Sequence, residues 1–219
     1  MGFGHLARCY ESFECMTFGG VLQRARTYHL EDLAPVPEVL LLGDGDGRFL
    51  EALLTERARR GTTGTVVSVD ASRGMLERAR ERVAGLPGAE RVRFVHSPAG
   101  AFEPPAGYSP GAIASQFFLD CFEEGDLAEL AEHISSVASP GTAWVIADFS
   151  LPPSRSPWRL PARAVIWVMY RFFSLAAGLR AKRLPDFHKA LNGSGWRLER
   201  RVSWLKGFVF SSVWRQPDP

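Results

Sequence analysis

Apolar residues in this chain fall into short unbroken runs, separated by stretches where they recur every three or four positions. Val39–Leu42, Thr65–Asp70, Val92–His96, Ala112–Phe118 and Ala143–Phe149 are too short for helices. Their apolar residues are largely successive rather than alternating, as in strands covered on both faces of a parallel sheet. Between them, Phe49, Leu50, Leu53 and Leu54 recur at helical spacing, as do Met75, Leu76, Ala79 and Val83, and then Leu127, Leu130, Ala131, Ile134 and Val137. Trp196–Leu205 and Phe208–Trp214, joined at Lys206-Gly207, read as a closing strand pair. Strands alternating with helices predict a doubly wound α/β fold with helices on both faces of the sheet.

The most informative stretch is Leu42-Gly43-Asp44-Gly45-Asp46-Gly47-Arg48, between the first strand and the first core helix. Strand, glycine loop, helix is the opening of a nucleotide-type site: the glycines allow a sharp turn and close approach of a ligand, and the helix N-terminus favours an anion. The spacing is not that of a dinucleotide fingerprint, whose third glycine would fall on Arg48, and no Gly-Lys-Ser/Thr run makes a P-loop. Asp70 closes the second strand 23 residues beyond Gly47. There a carboxylate can accept hydrogen bonds from both hydroxyls of an unphosphorylated ribose.

Taken together, these features resemble the class I S-adenosylmethionine-dependent methyltransferases, in the broad group that includes the quinone-biosynthesis enzymes. Leu41-x-Gly43-Asp44-Gly45-Asp46-Gly47 is similar to that family's first motif, and Val69-Asp70-Ala71-Ser72-x-x-Met75-Leu76 to its second, with the resemblance clearest over residues 36–149. The resemblance implies a Rossmann-like, seven-stranded, mostly parallel sheet with an antiparallel last strand. It also implies S-adenosylmethionine as cofactor, with its methionine half on the glycine loop, its ribose on Asp70, and Ala71 and Met75 alongside. The family usually carries an acid where Leu41 stands, a role near the ammonium group that would pass to Asp44 or Asp46. It often has a second acid after the third strand, where this chain has Ser97-Pro98-Ala99, so Ser97 or a backbone carbonyl would receive the adenine. On this reading residues 1–35 are a helical cap, 36–149 the cofactor-binding core, 150–190 a lid and 191–219 a terminal hairpin.

Strand ends beside the reversal of strand order face the ligand crevice, which places Gln116, Phe117, Phe118 and Asp120 near the methyl group to be transferred. Asp120 reads equally as an acceptor of a substrate proton or as a cap for the following helix. Asp148, at the end of the fifth strand, either faces substrate or closes its loop. The resemblance sets the N-terminal helices, broken at Gly19-Gly20, over the site mouth, so Tyr10, Phe13, Tyr28 and His29 are candidate pocket residues or else plain packing. His188 is a second candidate base, whereas His133 reads as structural. Nothing in the sequence asks for a metal.

Composition is that of an ordinary globular chain, and three sparse cysteines without a C-x-x-C spacing fit neither a disulfide framework nor a zinc site. With no basic start and apolar run at the N-terminus, a cytoplasmic location is expected. The formal charge of +2 hides an asymmetry: residues 150–198 hold nine Lys or Arg and one acid, Asp186. The same segment carries an aromatic run, Ala164–Leu179, interrupted by Arg171 and too short to span a bilayer. Three readings stay open for it: a helix buried on a sheet edge, a lid walling a lipophilic pocket through Trp167 and Tyr170, or an interfacial helix meeting anionic headgroups.

The functional expectation is methyl transfer to a small, largely apolar acceptor such as a lipid, a quinone-like ring or a polyketide-like product. The rivals are an RNA-modifying methyltransferase, with Trp158, Trp167 and Tyr170 gripping bases, and a cofactor-binding module without turnover. The aromatics of the apolar run are expected to point inward, which disfavours the RNA reading. The oligomeric state is left open.

Overall fold

The computed structural model describes residues 20–177, 181 and 183–217. Its centre is a seven-stranded sheet of β1 (Val39–Leu42), β2 (Val66–Asp70), β3 (Val92–His96), β4 (Ala112–Gln116), β5 (Ala143–Phe149), β6 (Arg197–Trp204) and β7 (Val209–Arg215). The spatial order is β3-β2-β1-β4-β5-β7-β6. The first five strands pair in parallel; β7 inserts antiparallel beside β5, with Asp148 opposite Phe210, and β6 pairs antiparallel to β7 at the edge. The order reverses between β1 and β4, so the ligand crevice of this fold lies at their carboxyl ends.

Helices α1 (Val21–Thr27), α2 (Leu30–Leu33), α3 (Arg48–Arg60), α4 (Arg73–Val83), α5 (Glu124–Val137), α6 (Arg159–Ala177) and α7 (Phe187–Gly193) flank the sheet. β1 is buried at all four positions because it has helices over both faces: Leu41 packs with Phe49, Leu50 and Leu53 of α3, while Leu40 and Leu42 share a core with Leu127, Leu130 and Ile134 of α5. A third cluster joins Leu22 and Ala25 of α1 to Ile166, Met169 and Tyr170 of α6 over Phe149 and Val209. This cluster holds both α1 and α6 at the edge of the sheet that carries the site.

The sequence places β1, β2, β3 and β5 within a residue or so of their observed bounds. β4 stops two residues short of its expected end because Phe117 takes a left-handed conformation (φ 55°) and ends the ladder. The chain then folds into a short 3-10 turn, Leu119–Cys121, before α5.

Candidate functional site

The glycine loop is shaped by its own backbone. Gly43, Gly45 and Gly47 all have positive φ (64°, 62° and 84°), a region that costs other residues about 1–2 kcal/mol. Their surroundings differ. A side-chain carbon on Gly43 would lie 2.0 Å from the Phe118 ring, and one on Gly47 would lie 2.8 Å from the backbone of Ala79, whereas one on Gly45 would meet nothing within 4 Å. Gly45 therefore faces open space at the crest of the loop. Asp70 braces that crest: one carboxylate oxygen accepts the Gly45 N–H (3.2 Å) and the other the Ser72 N–H (2.8 Å). Each oxygen keeps a lone pair for a ligand hydroxyl. Burial raises the Asp70 pKa, opposed by those two bonds.

Asp44 accepts the N–H groups of Phe49 and Leu50 (3.2 and 2.9 Å), satisfying two free donors at the start of α3. Burial pushes its pKa to about 7, against those bonds and the charge of Arg26. Asp46 is turned the other way: its carboxylate is held by Arg82 (2.6 Å) and Arg48 (3.2 Å), and its carbonyl also accepts from Arg82. The expectation that Asp46 stands near a ligand ammonium is thus corrected, because two guanidinium groups already engage it. Leu41 is fully buried against α3.

Beyond Asp70, Ala71 offers its carbonyl to the His96 ring (3.0 Å), and Ser72 caps α4 by accepting the Met75 N–H (3.4 Å). Ser97 donates its hydroxyl to the Pro98 carbonyl, and Ala99 opens a short turn with its side chain in the core. Ser97 retains hydroxyl lone pairs for a ligand amine.

At the reversal point, Gln116 is 95% buried, yet neither its amide oxygen nor its amide nitrogen has a hydrogen-bond partner. A buried amide left unpaired costs about 1–3 kcal/mol, which makes Gln116, at the carboxyl end of a central strand, a candidate for bonding to a ligand. Phe117 beside it packs on Phe149 and lies under the guanidinium of Arg26 (5.2 Å). Phe118 lies over Gly43 and meets Phe122 edge-on.

The 3-10 turn holds Asp120 next to a second buried acid. Asp148 accepts N–H groups from Leu119 (3.0 Å), Asp120 (3.2 Å) and Phe149 (2.8 Å), so it closes its loop and fixes the turn. The Cys121 thiol donates to Asp120 (3.6 Å), and the Tyr170 hydroxyl, from α6, donates to the Asp120 carbonyl (2.9 Å). Burial raises Asp120 to about 6 and lifts Asp148 well above the usual carboxylate range, helped by the Asp120 charge. The N-cap of α5 is Glu123, so Asp120 does not cap that helix.

Residues 39–141 match the family model described as a methyltransferase domain. They are a methyltransferase domain. Its architecture is that of the class I, S-adenosylmethionine-dependent enzymes. Among solved structures, the chain is similar to the mitomycin 7-O-methyltransferase (TM-score 0.70, 17% identity, 96% of this chain and 58% of that one). It is also similar to an O-methyltransferase family protein from Burkholderia thailandensis (0.69, 15%, 90% and 55%). A third is human N-acetylserotonin methyltransferase in complex with S-adenosylmethionine (0.60, 16%, 90% and 52%). The chain thus spans little more than half the length of these structures. No curated protein sequence matches it.

The methyltransferase domain's own residues fit the family's cofactor on three observations: the open crest at Gly45, the lone pairs left on Asp70, and the unpaired amide of Gln116. Other candidates are not brought to this space. Tyr28 is 49% exposed, meets the rings of His29 and Trp204 edge-on, and lines a cleft with Asp32 and Arg200. Trp167 points outward from α6 at 64% exposure, so only Tyr170 of the expected lid pair faces inward. His188 lies beside Trp214, and its Nε2 accepts from Arg201 (2.8 Å). An arginine N–H can only donate, so that lone pair is spent and His188 is not a base. Tyr10 and Phe13 lie outside the described residues. His133 is structural, bonded to the Phe102 carbonyl.

Sequence reasoning missed Arg26, buried over Phe117 and acting on Asp44. The available signal was a cation four residues after Leu22, on the apolar stripe of α1.

Proposed function

We propose that this methyltransferase domain transfers a methyl group from S-adenosylmethionine to a hydroxyl of a small, largely apolar acceptor. The observation that carries the reading is Asp120: a buried carboxylate of pKa about 6, two residues beyond the Phe118 ring that lies over Gly43, with its backbone carbonyl bonded to Tyr170 of α6. A carboxylate tuned toward neutrality can take a proton as the acceptor oxygen becomes a nucleophile, a contribution of roughly 10²–10⁴ in rate.

When bound, the cofactor supplies an already activated methyl group as a sulfonium. The chain's residues then align and shield. Asp70 and the Gly45 crest orient the ribose end, Gln116 fills its bonding at the crevice, and Phe117 and Phe118 wall the reacting space. Tyr170 fixes the backbone of Asp120, and the cluster around Phe149 and Ile166 excludes water. Positioning of this kind supplies up to about 7–11 kcal/mol of a displacement barrier. The similarity to structures named as O-methyltransferases supports an oxygen acceptor.

Calorimetric titration with S-adenosylmethionine and its demethylated product tests the cofactor half, and release of that product with a panel of apolar phenols and quinols tests the acceptor half. Asp70→Ala is expected to weaken cofactor binding tenfold or more, about 1.4 kcal/mol. Tight cofactor binding with no turnover on any acceptor would defeat the catalytic reading.

A further inference from the structure

The outer face of α6 has no counterpart in the methyl-transfer site. Its inner face is Ala162, Ile166, Met169 and Tyr170, all buried. Its outer face shows Leu160 (74% exposed), Trp167 and Val168, with Trp158 just ahead of the helix. Apolar side chains on both faces are unusual for a helix at the surface of a water-soluble domain.

The charges around this face share one sign. No acidic residue occurs between Asp148 and Asp186, while Arg155, Arg163 and Arg171 are exposed. Arg183 and Lys189 differ, both pairing with Glu124. An apolar ridge set among arginines complements an anionic lipid surface: tryptophan and aliphatic side chains enter the headgroup boundary while guanidinium groups meet phosphates. The 19-residue helix is about 28 Å long, enough to lie along such a surface. No described helix is long and apolar enough to cross a membrane.

We infer that the outer face of α6 docks the protein on an anionic phospholipid bilayer. A second copy of the chain would set Arg163 and Arg171 against their like, with no acid within α6 to offset them. RNA would pair with the arginines and stack on Trp158 and Trp167, but would leave Leu160 and Val168 in water. A bilayer satisfies both kinds of side chain. The inference stands apart from methyl transfer, although an apolar acceptor held in the bilayer would lie one helix away from Asp120.

The test is sedimentation of the full chain with vesicles of phosphatidylcholine alone or with roughly one-third phosphatidylglycerol. Binding to the anionic vesicles, weak binding to the neutral ones, and loss on adding salt are expected. Leu160→Asp with Trp167→Asp, and separately Arg163→Glu with Arg171→Glu, should each lower the bound fraction at least about tenfold. Both should leave melting temperature and cofactor affinity unchanged, which shows that the fold is intact. Equal recovery with and without phosphatidylglycerol, or variants that bind like the parent, overturns the inference. So does a dimer that Trp167→Asp dissolves, or salt-sensitive retention of RNA in place of vesicles.

Discussion

The Tyr170 hydroxyl donates to the backbone carbonyl of Asp120 across 2.9 Å, and both groups are buried. This bond ties the helix over the site to the turn that presents the candidate base. Tyr170→Phe keeps the ring in its apolar cluster and removes only the donor, leaving a buried carbonyl unpaired. A cost of about 1–3 kcal/mol is expected, read as a lowered melting temperature. Cofactor affinity should hold while turnover falls, because Asp120 loses its fixed backbone. An unchanged turnover would mean that α6 does not position the acid.

Asp120 should also set the pH dependence of the reaction. Its pKa, raised to about 6 by burial, makes the carboxylate the minor form below that value and the major form above it. Turnover should therefore rise as pH increases through about 6 and then level off. In Asp120→Asn the rise should vanish and the rate fall roughly 10²–10⁴-fold, with cofactor affinity retained. A variant that keeps the parent's pH profile would move the base elsewhere.

Asp44 gives a stability signal of the opposite direction. Its folded pKa of about 7 lies above the ordinary 3.8, so the folded state holds the proton more tightly than the unfolded one. Stability from this group is full below about pH 4 and is lost as pH rises towards 7. The melting temperature of the parent relative to Asp44→Asn should fall across that window and stay level above it. A constant difference from pH 4 to 8 would show that the carboxylate is not desolvated.

Gly43 and Gly45 share a left-handed backbone but not a neighbourhood, and this separates folding from binding. Gly43→Ala would force its methyl group into the Phe118 ring as well as straining the backbone, so a marked loss of stability is expected. Gly45→Ala meets no protein atom within 4 Å, so only the strain of about 1–2 kcal/mol remains. Its methyl group would stand where a ligand lies against the crest, and cofactor affinity should drop tenfold or more. Thermal melts and titration of both variants check the contrast.

What could be read in the sequence follows from the range of the interactions involved. β1 and β2 were legible because four or five successive apolar residues have few alternatives to a doubly covered strand. The Gly45–Asp70 relationship was legible because neighbouring parallel strands carry both ends of it. The fate of Asp46 was not, since its partner Arg82 lies 36 residues further on. Nor was the orientation of α6: with apolar residues on both faces, periodicity does not say which face meets Phe149 and which meets solvent. Trp167 was therefore placed inward, whereas it faces solvent, so inward-pointing aromatics no longer disfavour an RNA role at that residue. His188 was misread because its engagement depends on Arg201, brought beside it only when β6 forms the sheet edge.

Gln116 offers the sharpest separation of stability from function. Its buried amide has no protein partner, so the folded protein carries a polar group that its own side chains and backbone leave unpaired. Gln116→Met keeps a similar length and flexibility while removing that group. The variant should be more stable than the parent by about 1–3 kcal/mol, or roughly 2–10 °C in melting temperature for a chain of this size. Cofactor affinity should fall in return, because the bond the amide was kept for can no longer form. Most surface or core changes lower stability or leave it alone, so a rise coupled to weaker binding is a distinctive pair of results. A variant less stable than the parent with cofactor affinity intact would show that the Gln116 amide is satisfied inside the protein and takes no part in the site.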